Sequence, residues 1–155
     1  VTQINAGSGF NIIPQFTDFI GTIRTVNSAT RINVHKQFKE ICKATALAYG
    51  CTADVSVIKG YPVTVNNIEC SEKAIEVTSS IFGPGSVKTN MGPSMGAEDF
   101  AYMLEKIPGS YIWLGAGEGK SGCMLHNTKY DFNDNIIPLG VSYWERLVKS
   151  ELPLR

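Results

Sequence analysis

The hydrophobic period of this chain changes twice within its first sixty residues, and that alternation restricts the fold more than any other feature. From Phe16 to Val26, Phe19, Gly21 and Ile23 fall on one side while Asp18, Ile20, Thr22 and Arg24 fall on the other, the period of two that a half-buried strand requires. Beyond Asn27 or Ser28, either of which can serve as an N-cap, the repeat becomes helical. Val34, Phe38, Ile41, Cys42 and Thr45 recur at helical spacing until Gly50 ends the run. Ala53, Val55 and Val57 then alternate with Asp54 and Ser56, predicting another strand. With Thr2 to Ala6 as a leading strand, the order strand, strand, helix, strand is an incomplete split βαβ sandwich.

A second half begins near Tyr61-Pro62 and is more helical. Ser71 can cap a helix through Ile75, Val77 and Ile81 that stops at Phe82-Gly83-Pro84-Gly85. Residues 83 to 96 carry four glycines and two prolines and read as a loop. Ala97 to Lys106 predicts a short helix and Tyr111 to Leu114 a buried strand. The last helix, from about Pro138 to Ser150, presents Val141, Trp144, Leu147 and Val148 as an apolar stripe expected to face the core. The sequence is therefore of α/β (α+β) class.

Composition removes several functional classes. At 155 residues and 43% hydrophobic, the chain can bury a core. Its 14 basic and 14 acidic side chains cancel, leaving no electrostatic footprint for nucleic acid or an anionic membrane. No apolar run approaches the roughly 20 residues needed to span a bilayer. Cys42, Cys51, Cys70 and Cys123 lack the spacing of a zinc motif and read as buried free thiols, which suits a reducing cytoplasm, although spacing alone leaves disulfides open.

Chemistry concentrates in two words: Ser94-Met95-Gly96-Ala97-Glu98-Asp99-Phe100, and Leu125-His126-Asn127 followed by Tyr130-Asp131. They pair adjacent carboxylates with one of the two histidines, and glycine-rich turns lie between. On residue types alone this is equally a helix start beside a solvated or core histidine. Further words are Gly9-Phe10-Asn11-Ile12-Ile13-Pro14, Gly21-Thr22-Ile23-Arg24-Thr25, Gly60-Tyr61-Pro62 with Asn66, and Leu114-Gly115-Ala116-Gly117. In this order, from near residue 3 to residue 148, they resemble the metal-dependent amidohydrolases and aminoacylases of the M20 peptidase family, in the branch of hippurate and auxin-conjugate hydrolases.

That resemblance implies residues 1–62 as part of a ferredoxin-like lid, an antiparallel sheet with a helix that mediates dimerisation. Residues 63–155 would be the carboxy-terminal αβ part of a metallopeptidase catalytic domain. Family members are more than twice as long, and their amino-terminal portion supplies most metal ligands and the general base. This chain shows no His-x-Asp or Glu-Glu metal motif, so on the resemblance it is a carboxy-terminal segment, inactive alone. The family's lid has a further strand and helix before this point, and without them an apolar sheet face or an edge is expected to be exposed, predicting association with another copy or marginal stability.

The resemblance assigns His126 as a late ligand of a two-metal site holding zinc, manganese, cobalt or nickel. His35 has no partner at i+4 and reads as solvated. Glu98 and Asp99 either simply favour a helix start or support a ligand imidazole or the Gly115-Ala116-Gly117 loop. Arg24 either pairs with Asp18 on its strand or forks onto a substrate carboxylate, as the family's lid arginine suggests. Asn11 either bonds its own turn or reaches that carboxylate or the developing oxyanion. Gly115 and Gly117 either let backbone amides approach a ligand or make a tight turn. The parent would hydrolyse the amide of N-acyl amino acids or small peptides with a metal-activated water. The competing expectation is a non-catalytic ferredoxin-like module that dimerises or binds a small ligand.

Overall fold

The computed structural model describes residues 1–117 and 122–152. The chain divides into two units, residues 1–63 with 93–96, and residues 64–92 with 97–155. Among the described residues, no helix is long and apolar enough to cross a membrane.

In the first unit, strands β1 (Gln3–Ala6) and β2 (Thr17–Ile20) pair antiparallel, with Ile4 opposite Phe19 and Asn5 opposite Asp18. Gly7, at a φ of 73°, starts the connection between them, in a conformation that costs a side chain-bearing residue energy. Thr2 adds one further bond, its N–H donating to the Ile20 carbonyl at 2.8 Å. At Gly21 a Cβ would stand 3.1 Å from the Cα of Val1, so glycine is what lets the start of the chain lie against the end of β2.

The pattern from Phe16 to Val26 predicted a longer, half-buried strand, and the structure corrects both points. Pairing stops at Ile20, and Phe19, on the expected apolar face, is 64% exposed. A two-stranded ribbon has too little neighbouring structure to bury either face. Ala53, Val55 and Val57 are half-buried while Asp54 and Ser56 are exposed, as period two requires, yet 53–57 joins no ladder. Among the described residues the sheet has two strands, so the expected sandwich is not assembled.

Helix α1 (Ser28–Ala48) starts where the sequence signals it. Asn27 is the N-cap, its side-chain oxygen accepting the Thr30 N–H at 2.7 Å. At the other end Gly50 takes a φ of 70° and donates to the Leu47 carbonyl, a left-handed stop. No residue of α1 is buried. Arg31 donates to the Tyr61 carbonyl at 2.8 Å, tying the helix to the end of its own unit.

The second unit is built on α2 (Ile68–Phe82) and α4 (Ile137–Glu151), with the short α3 (Phe100–Leu104) between them in sequence. The cap of α2 is Asn67, which accepts the Cys70 N–H, and not Ser71, whose hydroxyl donates back to the Asn67 carbonyl. Ala74 and Val77 of α2 bury against Tyr143 of α4, with Ile81 and Leu147 packed around them. Ala101 of α3 and Ile136, ahead of α4, are also buried.

The stripe predicted on α4 is largely misplaced. Tyr143 and Leu147 face α2, whereas Trp144 is 62% exposed and Val141 and Val148 are exposed. Successive helical residues lie about 100° apart, so choosing Trp144 over Tyr143 turns the whole inferred face away from the core. Residues 111–114, predicted as a buried strand, join no ladder, and Trp113 is 61% exposed. The helix expected from Ala97 to Lys106 is confined to Phe100–Leu104. Cys42, Cys51 and Cys70 are free thiols but not buried ones, Cys51 being exposed and the other two half-buried.

Candidate functional site

The segment from Gly109 to Gly117 is held by side chains where a sheet would use backbone. Asn66 places its amide across Tyr111: Nδ2 donates to the Tyr111 carbonyl and Oδ1 accepts the Tyr111 N–H, each at 2.9 Å. The adjacent Asn67 N–H donates to the Gly109 carbonyl at 2.9 Å. Further along, Asn133 Nδ2 donates to the Ala116 carbonyl at 3.0 Å, while its Oδ1 accepts the Asn135 N–H and caps the turn leading into α4. Asn133 is thus the residue seen anchoring Gly115-Ala116-Gly117, a role the sequence reading had offered to Glu98 or Asp99.

Gly115 and Gly117 flank that anchored carbonyl, both exposed. Gly117 takes a φ of 67°, so its lack of a side chain is a requirement of the turn. A Cβ at Gly115 would meet open space, which leaves room above the peptide for an approaching group. Leu114 approaches Gly140 of α4, its Cδ2 within 3.5 Å of where a Cβ there would stand.

Glu98 is half-buried and Asp99 exposed at the start of α3. Asp99 occupies the N-cap position without a side-chain capping bond, and Glu98 contributes its carbonyl to the Ala101 N–H. The Glu98 carboxylate instead faces Tyr111, whose ring lies 5.8 Å from that of Phe100 at a tilt of 42°. Burial pushes the Tyr111 phenol above its ordinary value, and the nearby carboxylate of Glu98, with Asp99 beyond, adds to the rise. The Trp113 side chain works in the opposite direction.

His126 sits exposed on a turn in which the Asn127 N–H donates to the Met124 carbonyl at 3.3 Å. Its φ is 68°, the one positive value among the described residues other than glycine. His35 is half-buried on α1, not solvated as the sequence suggested. Arg24, exposed, forms no ion pair with Asp18; its guanidinium Nη1 donates to the Met95 carbonyl at 3.0 Å, leaving its other donors for a ligand. Asn11 is exposed in the turn closed by the Ile12 N–H and the Gly9 carbonyl.

One exposed imidazole fits a metal as a single ligand. Among the described residues no group of three His, Cys, Asp or Glu side chains is gathered that could hold an ion, so His126 and the Glu98-Asp99 pair do not by themselves build a metal site. A shallow groove of about 360 Å³ between α2 and α4 is lined by Ser80, Ile81, Ser142, Glu145, Arg146 and Lys149. Its hydroxyls are already committed, Ser80 to the Val77 carbonyl and Ser142 to that of Pro138. Its Glu145 and Lys149 pair with each other.

Asn66 and Asn127 stand in the sequence as parts of motifs, whereas Asn67 and Asn133 carry no such mark. Their signal was the asparagine's ability to bond backbone at turns and caps.

The ordered words are matched as a whole by the profile of peptidase family M20/M25/M40, over residues 3–150. The chain belongs to that family. It is 34% identical over 143 residues to thermostable carboxypeptidase 2 of Saccharolobus solfataricus, covering 90% of this chain and 35% of that protein. It is 33% identical over 147 residues to hippurate hydrolase of Campylobacter jejuni, covering 95% of this chain and 38% of the relative. With the Arabidopsis thaliana IAA-amino acid hydrolase ILR1-like 2, identity is 29% over 147 residues, covering 92% and 33%. The chain therefore spans about a third of the length of these relatives. No solved structure matches it.

Proposed function

We propose that this chain is the carboxy-terminal segment of an amidohydrolase that cleaves the amide bond of N-acyl amino acids or small peptides, and that residues 1–62 form part of its lid and 63–155 part of its catalytic domain. The observation that carries this reading is His126, exposed on a left-handed turn within a chain whose residues 3–150 match the family. Relatives named for hippurate, N-acetylcysteine and amino-acid conjugates of IAA support the acyl-amino-acid class.

His126 would offer its imidazole as one ligand to a divalent ion. Two such ions, zinc, manganese, cobalt or nickel, would supply an activated water and polarisation of the scissile carbonyl when bound. Arg24, steadied by the Met95 carbonyl, turns its remaining N–H groups to the substrate carboxylate, and Asn11 adds an amide donor from the same unit. Gly115 and Gly117 let the backbone approach the substrate. Glu98 and Asp99 support the site from the start of α3. The remaining ligands and the general base belong to other parts of the parent, the segment alone is inactive, and lid pairing gives a homodimer in the cytoplasm.

The test is hydrolysis of hippurate and N-acetyl amino acids by the full-length parent, with metal content measured on the same sample. The expected result is about two metals per protomer and activity lost in His126→Ala. A His126→Ala protein that keeps its metal and its rate overturns the assignment. The exposed cross-strand pair Ile4 and Phe19 favours a second reading, a non-catalytic module that associates through its sheet. A parent that self-associates yet neither binds metal nor hydrolyses either substrate would establish it.

A further inference from the structure

We propose that Asn127 is the positioning residue that holds His126 in its left-handed conformation. Two consecutive turns share Asn127. Its N–H closes the first on the Met124 carbonyl at 3.3 Å, with Leu125 and His126 in the middle. Its carbonyl accepts the Tyr130 N–H at 3.0 Å to close the second, and its side-chain oxygen accepts the Lys129 N–H at 2.8 Å. His126 occupies the third position of the first turn at a φ of 68°, a place where glycine is the usual residue.

A residue bearing a side chain persists in that region only where its surroundings over-determine it. His126 is exposed, so packing does not supply the constraint. The constraint comes from the neighbouring residue: with its N–H, carbonyl and side-chain oxygen all engaged between Met124 and Tyr130, Asn127 cannot rotate to let the preceding peptide relax. The Lys129 bond is the one that depends on the side chain, and it sets asparagine apart from residues that close the two backbone turns without a side-chain acceptor. Its effect is to fix the direction in which the His126 imidazole leaves the backbone, which matters for catalysis only if His126 is the ligand proposed above.

The chain has two histidines, so a proton–carbon NMR spectrum of its imidazole rings contains two Cε1–H signals to assign, with His35 on α1 as the internal control. Asn127→Ala is expected to shift or split the His126 ring signal toward that of a mobile histidine while the His35 signal stays in place. Asn127→Asp, which keeps the acceptor for the Lys129 N–H, is expected to restore the original position. A His126 signal unmoved in Asn127→Ala, or not rescued by Asn127→Asp, overturns the proposal. Should Asn127→Ala unfold the chain and move both signals together, Asn127→Ser decides: its shorter acceptor should displace the His126 signal alone, and no displacement overturns the proposal. These spectra need no metal, so failure of the ligand role in the parent, shown by an active and metal-loaded His126→Ala, is a separate result.

Discussion

The side chain of Asn66 does for Tyr111 what a neighbouring strand would do, donating to its carbonyl and accepting its N–H at 2.9 Å each. Tyr111 is thereby fixed at the backbone while its ring meets Phe100 and its hydroxyl meets Glu98. Two words far apart in sequence, the one around Asn66 and the one around Glu98, are joined through a single tyrosine. Removing the amide should release the segment. Asn66→Ala is expected to lower stability by about 1–2 kcal/mol, the range for two solvent-accessible hydrogen bonds, read as a fall in the urea midpoint without a change in slope.

Relief of backbone strain gives a prediction of the opposite sign. In His126→Gly the left-handed residue becomes one that adopts this conformation freely, a gain of about 1–2 kcal/mol, offset by about 0.4–1 kcal/mol for the more flexible unfolded chain. A net rise in thermal midpoint is expected, together with loss of any role for position 126 in the parent. A lower midpoint would show that His126 makes compensating contacts.

Alkaline stability follows from two tyrosines. Tyr111 and Tyr143 both have their phenols raised above 10.0, Tyr143 by burial in the core and Tyr111 by burial and Glu98. The unfolded chain therefore loses these protons first. Stability from this source is complete below pH 10 and declines as pH rises from there through the folded-state values. Tyr111→Phe should flatten the decline when unfolding is measured from pH 9 to 12, and Glu98→Gln should lower the Tyr111 titration midpoint.

Arg24→Ala in the full-length parent should raise KM for acyl amino acids far more than for their carboxamides, because the substrate carboxylate would have lost its guanidinium partner. Equal effects on both substrates would leave Arg24 with the Met95 carbonyl as its sole partner and remove it from substrate binding.

The packing of α2 on α4 is tested by contrast. Val77, 4% exposed, should cost about 2 kcal/mol when cut to alanine. Trp144→Ala, despite removing far more surface, should cost less, about 0.5–1.5 kcal/mol through the loss of its edge contact with Tyr143. Equal losses in chemical denaturation would put Trp144 back in the core.

Local signals told the truth wherever the interaction that realises them is local. The helix from Asn27 to Gly50 was legible because a cap, a period and a stop all lie within the segment itself, and so was the strand at β1, whereas the second strand was expected to be longer and half-buried. Ordered motifs determined the family and singled out His126, Arg24 and the Gly115-Ala116-Gly117 loop. Tertiary structure alone decided which neighbours those residues have. Whether 53–57 and 111–114 join a sheet depends on a partner strand, which period two does not provide. Which of Tyr143 and Trp144 is buried depends on where α2 lies, since both are apolar and one helical step apart. The asparagines at 66, 127 and 133 depend most on the fold, because a short amide reads as a loop residue until folding brings a specific peptide within bonding distance of it.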